Sequence, residues 1–184
     1  MNDRRFSGEI DRLRNGDRVA RLEIDRVVEL SMERLTADSL LDVGTGSGLF
    51  AEAFAARGFT VAGIDLRGDM LEVAHQYVPD GDFKQAQMES LPFGDETFDL
   101  VFMGLVLHEA DDLATALSEA YRVARQRLMI LEWRYETGEF GPPLAHRLRP
   151  QRVLDAAHEA GFEPTESIAL QHLTLFRMDK PAQE

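Results

Sequence analysis

Cysteine is absent from the sequence, and lysine occurs only as Lys84 and Lys180. The missing thiols exclude disulfide bonds, cysteine-ligated zinc or iron–sulfur sites and a cysteine nucleophile. Positive charge is also scarce, because 33 acidic residues outnumber 20 basic ones and the formal net charge is −13. Such a surface repels a phosphate backbone, so we expect no nucleic-acid partner.

Long apolar runs are the second absence. The first residues, MNDRRFSGEIDRLRNGD, are charged throughout, and no apolar segment approaches the roughly 18 residues that a membrane-spanning helix needs. We therefore expect a cytoplasmic protein with no membrane partner. With 184 residues and 44% hydrophobic composition, the chain is long enough for one buried core and short for two, which predicts one domain.

Apolar runs and helical patterns alternate along the chain. Residues 17–35 have the pattern of one amphipathic helix, with Asp17 as its N-cap. Strands are predicted at 39–43, 60–65, 82–86, 98–104 and 127–133, and helices at 48–57, 68–78, about 111–125 and about 150–160. This alternation predicts a parallel sheet with helices on both faces. Two final strand-like runs, TESIAL and HLTLFRM, are too close for a crossover and predict an antiparallel hairpin at a sheet edge.

Three glycines follow the first predicted strand, in the stretch LLDVGTGSGLF at residues 40–50. Gly44, Gly46 and Gly48 lead into a helix at the carboxyl end of that strand, where open α/β sheets bind ligands. Asp65 ends the second strand about twenty residues later, the spacing at which a carboxylate reaches ribose hydroxyls. Together these features predict a nucleoside-containing ligand; the alternative is a tight turn followed by a helix cap.

Two types of cofactor remain open at this point. Gly46, Gly48 and Ala51 satisfy the dinucleotide pattern G-x-G-x-x-G/A, which is typical of nicotinamide cofactors. Asp42, however, lies two residues before Gly44 and would point an anion toward the space that a pyrophosphate fills. A cationic ligand suits that carboxylate better. The Tyr-x-x-x-Lys pair of short-chain dehydrogenases is also absent, so hydride transfer is the less favoured interpretation.

Four segments resemble the successive motifs of class I S-adenosylmethionine-dependent methyltransferases, specifically the small group related to ubiquinone and menaquinone methyltransferases. These segments are LLDVGTGSG, GIDLRGDMLEVA, QMESLPFGDETFDLVF and LVLHEADD, and the resemblance covers about residues 38–132. It implies an α/β, doubly wound, mostly parallel sheet of seven strands with an antiparallel C-terminal hairpin, a Rossmann-like fold. We expect a single methyltransferase domain over residues 1–184, with a helical lid segment at 1–35 and a cofactor-binding core at 36–184.

The resemblance also implies cofactor contacts, with S-adenosylmethionine as cofactor and S-adenosylhomocysteine as product. Asp42 would lie near the methionine amino group, Asp65 would hold both ribose hydroxyls, and Leu66 would pack on the adenine. The other implied cofactor-binding residues are Gly44, Thr45, Gly46, Gly48, Gln87, Met88, Met103 and Gly104. Gln87 stands where the family usually has an aspartate, but its side-chain carbonyl still accepts from the adenine amino group. Ordinary core packing is the alternative for the side chains of Leu66, Met88 and Met103, and no metal site is predicted.

Methyl transfer from a sulfonium is an in-line displacement, so a base is needed only when the acceptor must lose a proton. His108 and Glu109 follow the fourth strand and are the predicted catalytic residues; a packing or orienting role is the alternative for His108. The family often has a histidine at the position of Glu109. Further candidates follow the fifth strand, namely Glu132, Trp133, Arg134 and Tyr135. His146 lies farther along, either at the acceptor site or on the surface.

A missing motif and a missing insertion limit the class of methyl acceptor. No Asn/Asp-Pro-Pro-Tyr follows the fourth strand, which argues against amino methylation of DNA bases or glutamine by that motif. No insertion is large enough for a substrate domain, so the lid comes from residues 1–35, from residues 135–150 or from a partner chain. Such a lid fits a small-molecule acceptor in a monomer or homodimer. Arg14, Arg18 and Arg21 either reach the cofactor carboxylate or are solvated.

Three functions follow, in order of preference. The first is methyl transfer from S-adenosylmethionine to an unidentified small molecule. The second is a non-catalytic S-adenosylmethionine-binding protein, acting as a regulator or as the inactive subunit of a heteromer. The third is an NAD(P)-dependent oxidoreductase.

Overall fold

The computed structural model describes residues 4–5 and 8–181. Its strands are β1 (Ser39–Val43), β2 (Thr60–Asp65), β3 (Asp82–Gln85), β4 (Phe98–Gly104), β5 (Ala124–Trp133), β6 (Glu163–Ala169) and β7 (Leu173–Asp179). Its α-helices are α1 (Gly16–Arg21), α2 (Ile24–Met32), α3 (Leu49–Ala55), α4 (Gly68–Tyr77), α5 (Leu113–Val123) and α6 (Pro150–Glu159). Short 3-10 helices lie at Ile10–Arg14, Leu107–Glu109 and Leu144–His146.

The seven strands form one mixed sheet in the order β3-β2-β1-β4-β5-β7-β6. Strands β1 to β5 pair in parallel, whereas β7 runs antiparallel to both β5 and β6. The predicted doubly wound sheet with an antiparallel C-terminal hairpin is therefore confirmed. Strand order reverses at β1, which has β2 on one side and β4 on the other. At such a switch point the carboxyl ends of the strands open a crevice for ligands.

The middle of the sheet is buried on both faces, as is usual for parallel strands. Residues 100–103 of β4 alternate between the two faces, and all four are fully buried. Val101 and Met103 belong to the apolar cluster that includes α5 and α6, while Leu100 and Phe102 belong to the cluster that includes α2 and α3. Burial on both faces explains why these strands read as continuous apolar runs in the sequence.

The single helix predicted over residues 17–35 is wrong. The structure divides this stretch into α1 and α2, because Glu23 adopts left-handed backbone angles (φ 48°) between them. The N-cap prediction is also wrong: the Asn15 side chain accepts from the backbone N–H of Asp17, so Asn15 is the cap. The break lets Leu22 enter the core, where it is 1% exposed, and lets α1 diverge from the path of α2.

The other elements agree with prediction apart from their ends. Strand β5 begins three residues earlier than predicted, at Ala124, and α5 begins at Leu113. Gly58 and Gly161, with φ angles of 91° and 109°, follow α3 and α6 as expected for helix-ending glycines. Within the described part of the chain, no helix combines the length and apolarity needed to cross a membrane.

Candidate functional site

A cavity of about 870 Å³ lies at the carboxyl ends of β1, β2 and β4. This volume is near the upper end of the range of about 300–1,000 Å³ that is typical of small-molecule sites. The strand ends form its floor. The N-terminal segment, residues 8–22, and the loop at residues 134–149, which we call the β5 loop, contribute further parts of its wall. The cavity therefore has room for more than one small ligand.

The glycine loop, Gly44 to Gly48, turns the chain from β1 into α3. Its three glycines all have positive φ angles, of 69°, 52° and 76° in chain order. A Cβ on Gly44 would lie 2.3 Å from the Val106 side chain, and a Cβ on Gly48 would lie 2.9 Å from Ala74. These two positions thus need glycine for turning and for packing within the protein. Gly46 has more room around it, because the nearest atom to a Cβ at this position is 3.4 Å away, and it faces the cavity together with Gly44.

Asp65 ends β2 at the cavity wall. Its carboxylate accepts hydrogen bonds from the backbone N–H groups of Gly46 and Arg67, both at 2.9 Å. Burial raises the pKa of Asp65, although these hydrogen bonds oppose the rise. The two bonds hold the carboxylate in one orientation, and its remaining lone pairs are open to hydroxyl donors. Beside it, the apolar Leu66 side chain lines the cavity with 36% of the residue exposed.

Asp42 is only 2% exposed. The Thr45 hydroxyl donates to its Oδ2 at 2.7 Å, and the backbone N–H of Ala51 donates as well. Burial raises the pKa of Asp42 to about 7, and the charge of Asp65 contributes to the rise. No arginine or lysine among the described residues forms an ion pair with it. A cationic ligand beside Asp42 would stabilise its ionised form.

His108 and Glu132 form a buried pair at the ends of β4 and β5. The ring Nδ1 of His108 lies 2.9 Å and 3.1 Å from the two carboxylate oxygens of Glu132, and the His108 backbone N–H donates to Oε1 at 3.0 Å. Burial alone would lower the pKa of His108, but the Glu132 carboxylate outweighs burial and the pKa is raised. Because Glu132 engages Nδ1, the other ring nitrogen is left for proton exchange, and His108 lines the cavity.

Most of the predicted site residues line this one cavity. They are Asp42, Gly44, Thr45, Gly46, Asp65, Leu66, Met88, Gly104, His108 and Glu109. Three others, Gly48, Gln87 and Met103, are not part of its wall. The Gln87 residue is exposed, and Met103 is fully buried in the core. Cofactor contacts remain predictions at these three positions and at the positions that line the cavity alike.

The weaker candidates divide in the same way. Arg18, Arg21 and Trp133 line the cavity, whereas Arg134, Tyr135 and His146 do not. Arg14 has neither of its two predicted roles. It donates to the Ser47 carbonyl at 2.7 Å and to Glu52 at 2.8 Å, so it ties the N-terminal segment to the glycine loop.

The β5 loop is organised by a residue that sequence reasoning missed. Arg147 is 9% exposed and directly follows His146, the histidine that was considered for the acceptor site from the sequence. Its guanidinium donates to the backbone carbonyls of Arg134, Glu136, Phe140 and Pro142. Sequence patterns do not reveal such a residue, because its partners are backbone carbonyl groups, which every residue has.

The switch-point crevice, the glycine loop and the strand-end carboxylate define a Rossmann-like domain of the nucleoside-binding type. A family model described as a methyltransferase domain matches residues 41–129. This match agrees with the resemblance of the motifs to class I S-adenosylmethionine-dependent methyltransferases and with the topology of the sheet.

Named relatives agree with this family. The chain is 37% identical over 94 residues to a malonyl-[acyl-carrier protein] O-methyltransferase of Serratia marcescens, covering 51% of this chain and 37% of the relative. It is 33% identical over 124 residues to a demethylmenaquinone methyltransferase of Renibacterium salmoninarum, covering 66% and 49%. The chain thus spans half or less of the length of these curated relatives. A solved S-adenosylmethionine-dependent methyltransferase from Aquifex aeolicus has the same fold, with a TM-score of 0.83, 22% identity and coverage of 92% and 96%.

Proposed function

We propose that this protein transfers a methyl group from S-adenosylmethionine to a small-molecule acceptor. The observation that carries the proposal is that Asp42 and Asp65 line one cavity on either side of the glycine loop. Asp65 suits the two ribose hydroxyls, and the buried Asp42, which lacks a cationic partner in the described chain, suits the positively charged methionine end. A pyrophosphate would instead meet the Asp42 carboxylate, which disfavours an NAD(P) cofactor.

The apolar part of the wall fits the adenine ring. Leu66 follows Asp65 directly and presents apolar surface in the cavity, and Met88 lines the same cavity. An exposed leucine next to a carboxylate that suits ribose supports an aromatic base at this position. The same side chains are less useful to a ligand that lacks a base.

S-adenosylmethionine, when bound, supplies an electrophilic methyl group. The chain's own residues then align the acceptor, exclude water and remove a proton where the acceptor has one to lose. We assign the proton to His108, whose Nδ1 is engaged by Glu132. Glu132 is a positioning residue, because it orients the imidazole and stabilises its charged form. Glu109 also lines the cavity and is the second candidate base.

Residues 1–35 are proposed to act as a lid on the core at 36–184, in one domain. The described lid residues on the wall include Gly8, Arg12, Leu13, Arg18 and Arg21. Arg67, from the core, donates to the Gly8 carbonyl at 2.8 Å and so ties the lid to the cavity rim. A lid drawn from the chain itself supports a small acceptor. The relatives' names contain two different acceptors, so the proposal stops at this class.

Isothermal titration calorimetry with S-adenosylmethionine, S-adenosylhomocysteine and NADPH tests the cofactor. We expect the first two to bind and NADPH to give no heat; NADPH binding without any response to S-adenosylhomocysteine would overturn the proposal. Turnover of candidate acceptors with methyl-labelled cofactor then separates an enzyme from a silent binding protein.

A further inference from the structure

The cavity wall carries more positive charge than the composition of the chain suggests. Although the net charge is −13, six arginines line the cavity, namely Arg4, Arg5, Arg12, Arg18, Arg21 and Arg67. Several of them are engaged by the protein: Arg4 donates to the Ala110 carbonyl and Arg67 to Asp69 and Gly8. These engaged arginines fasten the lid and are not available to a ligand.

Arg21 differs from them. It forms no hydrogen bond or ion pair with any residue that the structure describes, and its Nε is buried without a partner. Its guanidinium lies 4.1 Å from the centre of the Phe140 ring, a contact that orients the planar fork without using its N–H groups. Arg18 is close enough for the two positive charges to repel, so this part of the wall favours an anion.

The position of Arg21 assigns it to the acceptor side. The Phe140 ring contacts His172, in the turn between β6 and β7, with ring centres 5.4 Å apart. Two residues after Arg21, the Glu23 carboxylate accepts from the backbone N–H of Gln171 in the same turn, at 2.7 Å. This turn adjoins β7, four strands from β2 and its Asp65, a separation of about 19 Å at about 4.8 Å per strand.

We propose that Arg21 binds a carboxylate on the methyl acceptor, so that the preferred acceptors are small acids. The inference rests on the proposed function and names its substrate class. An arginine fork pairs with a carboxylate through two parallel hydrogen bonds, and stacking on Phe140 holds the fork ready for them. The carboxylate is then anchored at the β5 side of the cavity. The nucleophilic atom of the acceptor extends toward His108.

The test compares acids with their neutral amides. 3-Hydroxybutyrate, 3-hydroxybenzoate and 4-hydroxyphenylacetate, each beside its primary amide, are titrated into protein saturated with S-adenosylhomocysteine. We expect at least one acid to bind ten-fold or more tightly than its amide. In Arg21→Gln we expect acid affinity to fall by about 10- to 100-fold, the range for a lost hydrogen bond to a charged group, with amide affinity unchanged. Arg21→Lys keeps the charge and should fall between the two.

Controls distinguish the alternatives. Arg26→Gln removes the same charge from an exposed position outside the cavity and should leave the preference for acids intact. The inference is overturned if wild-type protein binds no acid better than its amide, or if Arg21→Gln retains the preference. It is also overturned if Arg21→Gln weakens S-adenosylhomocysteine ten-fold but not 5′-methylthioadenosine, since Arg21 then binds the cofactor's own carboxylate. If wild-type protein does not bind S-adenosylhomocysteine, the proposed function fails. The acids and amides are then titrated into the protein without cofactor, and the same comparison decides whether Arg21 binds a carboxylate.

Discussion

The two sides of the cavity are built from the chain in different ways. The side proposed for the nucleoside comes mainly from one stretch, from Asp42 to Arg67, with Met88 added from farther along the chain. The Asp65 carboxylate on this side is held by backbone N–H groups. The acceptor side combines the N-terminal segment, the turn after β4, the end of β5 and the β5 loop. Side chains organise these segments: His108 in the turn after β4 pairs with Glu132 in β5, and Arg147 holds the β5 loop together through its own backbone carbonyls. A motif can therefore identify the cofactor side, whereas the acceptor side depends on individual residues.

The largest effect is expected on the acceptor side, at His108. If His108 removes a proton from the acceptor, His108→Gln should lower kcat by about 10²- to 10⁴-fold, the usual contribution of general base catalysis. The dissociation constant of S-adenosylhomocysteine should remain unchanged, because the nucleoside side is built separately. Single-turnover kinetics and calorimetry measure the two quantities. His158→Gln, an exposed histidine on α6, is the matched control, and unchanged turnover in His108→Gln would show that the imidazole is not the base.

The pH profile of turnover belongs to the same prediction. The pKa of His108 is raised above its ordinary value of 6.5, and only the neutral imidazole accepts a proton. Turnover should therefore increase with pH through a midpoint above 6.5. Glu132→Gln removes the carboxylate that raises the pKa and should move this midpoint to lower pH. If the midpoint does not move in Glu132→Gln, the pH dependence of turnover does not come from the His108–Glu132 pair.

A stability effect is expected on the nucleoside side, at Asp42. Between pH 3.8 and about 7, the raised pKa keeps Asp42 protonated in the folded protein, whereas the same residue has lost its proton in the unfolded chain. Stability therefore decreases as pH rises through this interval. The rise to about 7 corresponds to at most about 4 kcal/mol. Asp42→Asn should thus increase the free energy of unfolding at pH 8 by up to that amount and have little effect near pH 3.5. Urea unfolding at the two pH values measures the difference.

The same Asp42→Asn protein should bind S-adenosylhomocysteine more weakly, because the carboxylate that suits the methionine ammonium has gone. Gain of stability together with loss of affinity is the signature of a buried charge kept for a ligand. If Asp42→Asn were less stable than wild type at pH 8, the carboxylate would be a structural element of the fold instead.

Asp65 should show a smaller effect, on affinity alone. Asp65→Ala should weaken S-adenosylhomocysteine by about 1.5–3 kcal/mol, the scale of hydrogen bonds to a charged group. Circular dichroism checks that the glycine loop and sheet survive the loss of the bonds to Gly46 and Arg67. Asp155→Ala, on α6 away from the cavity, is the control. An unchanged dissociation constant in folded Asp65→Ala protein would remove Asp65 from the site.

Prediction from sequence succeeded where the determinants are local. The buried strands, the glycine loop and the strand-end Asp65 leave signals within one stretch of chain. The sheet could therefore be predicted, as could the position of Gly46 and Asp65 on one cavity. The break at Glu23 could not be predicted. This residue adopts a left-handed conformation, and its carboxylate accepts from the backbone N–H of Gln171, which is distant in sequence. His108 and Glu132 are 24 residues apart in sequence, and their contact depends on the register between β4 and β5. The sequence gives both residues as candidates but not their contact.

The smallest effect is expected at the N-terminal segment, and it tests whether side chains hold the acceptor side together. Arg14 bonds to Glu52 and the Ser47 carbonyl, and its guanidinium lies 3.3 Å from the centre of the Tyr77 ring. Because Glu52 is partly exposed, Arg14→Gln should lower the global free energy of unfolding by only about 0.2–1 kcal/mol. Local opening of the N-terminal segment should nevertheless increase, because Arg14 ties this segment directly to the glycine loop.

Hydrogen exchange followed by mass spectrometry measures that opening directly. Amides in residues 10–21 should exchange faster in Arg14→Gln than in wild type, while those of β1 and β4 keep their rates because the sheet is unaffected. Arg152→Gln, an exposed arginine on α6, controls for loss of charge. Unchanged exchange in residues 10–21 would mean that packing of Leu13 and Leu22, rather than Arg14, holds the N-terminal segment in place. In that case, side-chain bonds would organise the acceptor side only at the ends of β4 and β5.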